Sequence, residues 1–280
     1  MPARRSPLAP GQGLLLVGSI MGLAPLTAQG QAVTPTAPGQ LPPAIVGSAP
    51  APSGESVSYF AADDRTAGYV AVPGGEGPFP AVILIHEWNG LSDNVRQMAD
   101  QFAAEGYVAF AVDLYHGEVG TSRDENIALM REARADEATM VANIDAAARW
   151  VRARPDVTGK LAVMGWCFGG GVALSYGLDG EDHDGTAIFY GRLVEDPEVL
   201  RRLSHPVYGT FAANDRGIPP DQVERFAAAL RSIGIENDIH VYDHVGHGFW
   251  LHVDRDPENS TAPALDAWER LKVYLRKVLG

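Results

Sequence analysis

The sequence predicts an α/β fold: a mostly parallel central sheet with helices on both faces. Three observations carry that reading. Several short runs, Ala81–Ile85 above all, are apolar at every position, which a strand covered on both faces requires. Between them lie segments with apolar residues at helical spacing. After two opening strands the two kinds alternate in order, the pattern of a doubly wound sheet.

The elements follow in turn. ESVSYFA and TAGYVAVP read as strands joined by the polar turn Ala62-Asp63-Asp64-Arg65. FPAVILI is a buried strand, and Asp93–Glu105 a helix with Val95, Met98, Phe102 and Ala103 on one side, ended by Gly106. YVAFAVDLY is a second buried strand. Ala133–Arg152 is expected as one long helix carrying Met140, Ile144, Ala147, Ala148 and Val151, stopped by Pro155. KLAVMG is the next strand and GGGVALSYGL the helix after it. GTAIFYG, PVYGTFAAND and ENDIHVYD are strands; Asp221–Ile233 and Ala262–Leu279 are helices. No internal repeat or second domain is visible, so residues 55–280 form one domain.

Ahead of that domain, Arg4 and Arg5 precede an apolar run from Gly13 to Leu26, too short to span a bilayer comfortably and followed by Ala28, Gly30 and Ala32. This is the layout of a secretory signal peptide over residues 1–32, with an exported, periplasmic or secreted product and no stable membrane insertion after cleavage. The segment 33–54 holds six prolines between Gln31 and Gly54 and little charge, and is expected as an extended, unpacked linker. A formal charge of −13 argues against nucleic acid as a partner. Nothing fixes the oligomeric state; a monomer is favoured.

The chain has one cysteine, Cys167, which cannot form a disulfide within its own chain. It sits in Gly165-Trp166-Cys167-Phe168-Gly169, a G-x-nucleophile-x-G pattern at a strand-to-helix junction. A side chain raised on so sharp a turn leaves no room two residues away on either side, which accounts for the glycines. The helix end that follows favours a thiolate. Such a nucleophile needs a base and the base an orienting acid, and Asp215 and His247 follow in that order, each just past a strand. The oxyanion donors are expected to be the backbone N–H groups of Phe168 and Trp88. The loose group His240, His244, His247 and His252 straddles a strand and a loop, unlike a tight zinc motif, so neither metal nor cofactor is expected.

These segments resemble the dienelactone hydrolases (carboxymethylenebutenolidases) of the α/β-hydrolase superfamily. HEWNG at 86–90, VDLY at 112–115, GKLAVMGWCFGGG at 159–171, FAANDRGIP and VGHGF carry the resemblance, which spans Tyr59 to the C-terminus. It implies an α/β-hydrolase fold, a small-molecule ester or lactone substrate and a Cys167–His247–Asp215 triad acting through a thioester. It also implies that Glu87 touches the thiol before substrate binds and helps it ionise. Two arginines that hold the substrate carboxylate in the family's best-known members are replaced here by Gly117 and Leu251. His116, Arg192, Trp88 and Trp250 are candidates for shaping a different pocket. A thiol-based binding or redox-sensing protein on the same scaffold, and an acyltransferase, remain the alternatives.

Overall fold

The computed structural model describes Met1 and residues 33–280, so the expected signal peptide beyond Met1 lies outside the described residues. Eight strands form one sheet: β1 (Glu55–Ser58), β2 (Ala67–Ala71), β3 (Phe79–Ile85), β4 (Val108–Val112), β5 (Val157–Trp166), β6 (Gly185–Phe189), β7 (Val207–Ala212) and β8 (Asn237–Tyr242). Their order is β1-β2-β4-β3-β5-β6-β7-β8; β1–β2 and β2–β4 are antiparallel and every other pairing is parallel. The chain winds outward one way from β3 through β4 and the other way through β5, so the carboxyl ends of β3 and β5 flank the crevice where such sheets bind ligands.

Alternation along the central strands builds two cores. Val82, Leu84, Met164 and Trp166 face one side, against α1 (Asp93–Ala104) and the closing helix α7 (Pro257–Leu279). Ala81, Ile83, Ile85, Leu161 and Val163 face the other, against α3 (Glu137–Arg152) and α4 (Phe168–Asp179). Strands apolar at every position are thus filled on both faces, as the sequence requires. The short α5 (Pro197–Leu200) and α6 (Pro220–Ser232) cover the far end of the sheet.

Two kinds of expectation are corrected, the bounds of two helices and the nature of residues 33–54. The helix read as Ala133–Arg152 begins at Glu137 as α3, and Ala133 and Arg134 instead close a preceding helix, α2 (Arg123–Arg134), that the sequence reading did not include. The Asp136 carboxylate accepts from the Thr139 N–H at 3.0 Å, which starts a new helix and ends the old one. Ser122 and Glu125 form a capping box that starts α2, a signal present in the sequence. The closing helix likewise begins earlier than Ala262, at Pro257, where proline suits a first turn capped by Asp256.

The second correction concerns residues 33–54, which are not an unpacked linker. They run as a strap over α1 and α7. Ala44 and Ile45 are buried in the first core. Trp268 Nε1 donates to Thr36 Oγ1 at 2.9 Å, Thr36 N to Glu105 at 2.6 Å, and Ser53 N to Asp100 at 2.8 Å. The prolines that suggested an extended chain also limit the entropy lost on docking it. Ile45→Ala is therefore expected to destabilise the protein by about 2–4 kcal/mol, read as a lower urea midpoint at unchanged slope. An unchanged midpoint would mean that the strap contributes nothing to folding.

Candidate active site

Cys167 directly follows β5. Its backbone is at φ 55°, ψ −115°, a region that L-residues avoid. The surrounding chain enforces this. A Cβ on Gly165 would collide with the backbone of Gly169, and one on Gly169 with the carbonyls of Ile85 and His86. The strained turn lifts a partly exposed Sγ above the sheet's carboxyl edge, and α4 begins at the next residue.

Asp215 follows β7 and His247 follows β8. The Asp215 side chain is almost fully buried, and both its oxygens are used. Oδ2 lies 2.6 Å from His247 Nδ1, while Oδ1 accepts from the N–H groups of Gly217 (2.8 Å) and Ile218 (3.3 Å). A carboxylate can only accept, so His247 Nδ1 carries the proton. Nε2 is left for the cavity that His247 and Cys167 line together.

The electrostatics agree with that pairing. Burial acts to lower the His247 pKa, but the hydrogen bonds and charges of Asp215 and Cys167 outweigh it and the value is pushed up to about 10. Burial opposes the Asp215 charge as well. The hydrogen bond and charge of His247, with the two loop N–H groups, outweigh it and hold the carboxyl below its ordinary value. A raised histidine pKa contributes stability that is fully present below about pH 6.5 and is lost as pH rises through about 10. Thermal melts are expected to fall between about pH 6.5 and pH 10, and His247→Ala is expected to flatten that slope. An unchanged slope in the variant would exclude a charged His247 in the resting protein.

Trp88 lies beyond the end of β3 and also lines the cavity. Neither its backbone N–H nor that of Phe168 has a protein acceptor among the described residues. Both N–H groups are thus unengaged, one on a residue of the cavity wall and the other on the residue that follows Cys167. Glu87 lines the same cavity with a nearly buried side chain, but its hydrogen-bond partner is His252 Nε2 at 2.7 Å rather than the thiol. His252, five residues past His247 in the sequence, is a site residue that the sequence reading weighed only as a metal ligand.

The cavity has a volume of about 520 Å³, and Asn89, Thr121, Asn126, His252 and Arg255 give it a polar wall. Three residues proposed from sequence lie elsewhere. Trp250 is fully buried, stacked on Trp166 at 6.0 Å with Nε1 donating to Ala264 O, and is a core residue. His116, at positive φ, pairs with Asp63 and lines a separate small cavity with Arg65 and Tyr115. Arg192 is exposed beside Gly171 and does not line the Cys167 cavity. Among the described residues, no group of three or more His, Cys, Asp or Glu side chains could hold a metal ion, and no helix is long and apolar enough to cross a membrane.

The profile of the Dienelactone hydrolase family matches residues 66–279. The chain belongs to the dienelactone hydrolase family. A relative in Methylorubrum extorquens, named "Putative carboxymethylenebutenolidase", is 30% identical over 222 residues, covering 75% of this chain and 76% of its own. Two solved structures share the fold. A dienelactone hydrolase-like promiscuous phosphotriesterase from metagenomic libraries has a TM-score of 0.73 at 20% identity, covering 82% of this chain and 100% of its own. A thermophilic esterase of Thermogutta terrifontis has a TM-score of 0.61 at 20% identity, covering 81% and 93%. This dienelactone hydrolase-family protein is a carboxylic ester or lactone hydrolase. Its family profile starts at Thr66, so the strap over 33–54 lies outside the matched segment.

Proposed function

We propose that this protein hydrolyses a small ester or lactone through a covalent thioester on Cys167. The observation that carries the proposal is the strained backbone of Cys167, set opposite a histidine whose other nitrogen is held by a buried carboxylate. Strain of this kind costs about 1–3 kcal/mol and persists where the surroundings impose it, typically at reacting groups.

In the proposed cycle His247 holds a proton, in line with its raised pKa, and the sulfur reacts as the thiolate. The sulfur attacks the carbonyl carbon, and the C=O π electrons move to oxygen, where the Phe168 and Trp88 N–H groups receive the charge. On collapse the C–O bond breaks and His247 Nε2 gives its proton to the leaving oxygen; in a lactone that oxygen stays tethered to the acyl group. The thiolate charge is then gone, removing one cause of the raised imidazole pKa while burial still acts to lower it. His247 is left neutral and takes a proton from water, which attacks the thioester. Breaking the C–S bond releases the acid and restores the thiolate.

Arg255 lines the cavity and forms no ion pair among the described residues, which supports a substrate with an anionic substituent. The Arg4-Arg5 pair ahead of the apolar Gly13–Leu26 run supports an exported enzyme.

The test is a panel of small esters and lactones, each with and without a carboxylate, with product analysis in the presence and absence of an added alcohol. Free acid is the expected product in both cases. Carboxylated members should lose preference in Arg255→Ala through a higher KM. Products formed only with the added alcohol would indicate an acyltransferase, and ligands recovered unchanged would indicate a binding protein.

A further inference from the structure

His86 is fully buried at the end of β3 and belongs to neither the dyad nor the cavity wall. Its two ring nitrogens make opposite contacts. Nε2 lies 3.2 Å from the backbone N of Leu114, which can only donate, so Nε2 accepts. Nδ1 lies 2.6 Å from the carbonyl oxygen of Glu87, which can only accept, so Nδ1 carries the proton. The two bonds specify one neutral tautomer and tie the end of β4 to the loop after β3. Burial, the largest influence on this ring, acts in the same direction by lowering its pKa.

The oxygen held by His86 belongs to the Glu87–Trp88 peptide. That peptide is trans and planar, so its carbonyl and its N–H point in opposite directions. Fixing the carbonyl toward His86 therefore fixes where the Trp88 N–H points, and that N–H has no protein acceptor among the described residues. Among the described residues Gly90 N is the only other donor to the same carbonyl, at 3.3 Å, a longer and weaker contact. The other expected oxyanion donor is also within reach of the same ring. The His86 ring stacks on Phe168 with centroids 6.1 Å apart and an interplanar angle of 28°, while Tyr115 packs edge-on at 4.6 Å. Gly169 lies tight against the Ile85 and His86 carbonyls. One ring thus contacts both the carbonyl of the peptide that carries the Trp88 N–H and the side chain of Phe168.

We infer that His86 is a positioning residue for the oxyanion site: its Nδ1–H orients the Glu87–Trp88 peptide so that the Trp88 N–H is presented beside that of Phe168. The inference rests on the thioester reading above. It implies that His86 acts on the step that develops charge on the substrate oxygen and leaves the reactivity of the thiol itself untouched.

The experiment compares His86→Phe, His86→Asn and His86→Gln in two assays: ester turnover, and alkylation of Cys167 by iodoacetamide, which attacks a saturated carbon and forms no oxyanion. Phenylalanine keeps the ring packing and loses both hydrogen bonds. Asparagine places an N–H donor near the position of Nδ1, and glutamine keeps a polar atom nearer Nε2. His86→Phe is expected to lose on the order of 10²-fold in kcat, the usual effect of removing one oxyanion donor, while alkylation stays near the wild-type rate. His86→Asn should recover most of that loss and His86→Gln should not. If His86→Phe does not fold, the order of Asn over Gln by about tenfold in kcat tests the same point. Full turnover in His86→Phe, alkylation that falls in parallel with turnover, or Gln equal to or better than Asn would each overturn the role of His86. Cys167→Ala is run alongside: if it retained turnover, the thioester reading would fail, whereas a dead Cys167→Ala beside a fully active His86→Phe would overturn His86 alone.

Discussion

Cys167→Ala is expected to lower kcat/KM for an activated ester by on the order of 10⁵–10⁶, to the level that binding and the oxyanion donors provide without a nucleophile. The fold should survive, because alanine keeps a Cβ at φ 55° and removes a single, partly exposed sulfur. Cys167→Gly should be equally inactive and more stable than wild type by about 1 kcal/mol, since glycine adopts this backbone without strain. A variant that loses activity and gains stability separates chemistry from folding more cleanly than a loss of both. Cys167→Ser is expected to be a poor enzyme, because an alcohol ionises far less readily than a thiol and is the weaker nucleophile. Wild-type rates in Cys167→Ala would exclude the cysteine as nucleophile.

Asp215→Asn carries the second large effect, on the order of 10³–10⁴ in kcat. The loop decides which atom of the new amide faces the histidine. Oδ1 already accepts from the Gly217 and Ile218 N–H groups, so asparagine keeps its oxygen there and turns its NH₂ toward His247 Nδ1. An NH₂ donates, which forces Nδ1 to accept and moves the imidazole proton to Nε2. The nitrogen facing the cavity then lacks the lone pair needed to take a proton from water. Loss of the Asp215 charge also leaves burial less opposed, so His247 no longer stays protonated at neutral pH. Iodoacetamide alkylation of Cys167 should follow a different pH profile in Asp215→Asn from that of wild type, because the charge on His247 beside the sulfur has changed. Equal alkylation profiles in the two proteins would mean that Asp215 does not set the charge of His247.

The middle of the sheet was legible in the sequence because its strands are apolar on both faces and of strand length, with turn residues at their ends. The meeting of Cys167, Asp215 and His247 on one edge was legible because each lies within a few residues of the carboxyl end of a parallel strand, where chain order alone places residues on that edge. The strap was misread because low charge and many prolines describe a loose chain and a docked one equally well. What separates them is the complementary surface on α1 and α7, which the local sequence does not contain. The break between α2 and α3 was signalled by Ser122 and Asp136 but masked by apolar spacing that runs through it. The pocket wall was least legible. His252 and Arg255 reach the cavity through the turn around Val253–Arg255, and Trp250 leaves it by stacking on Trp166. Both outcomes depend on contacts between distant segments. His86 escaped notice because its part is played through a backbone carbonyl, which leaves no pattern of residue types.

The most direct measurement is rapid acid quenching of wild-type protein with a slowly hydrolysed activated ester, followed by intact-mass and peptide analysis. The thioester mechanism predicts a burst of one leaving group per site and a mass increase equal to the acyl group. The adduct should lie on the peptide containing Cys167 and be removed by hydroxylamine. Steady turnover with no adduct at any quench time, or an adduct on Glu87 or any residue other than Cys167, would contradict a covalent thioester on Cys167.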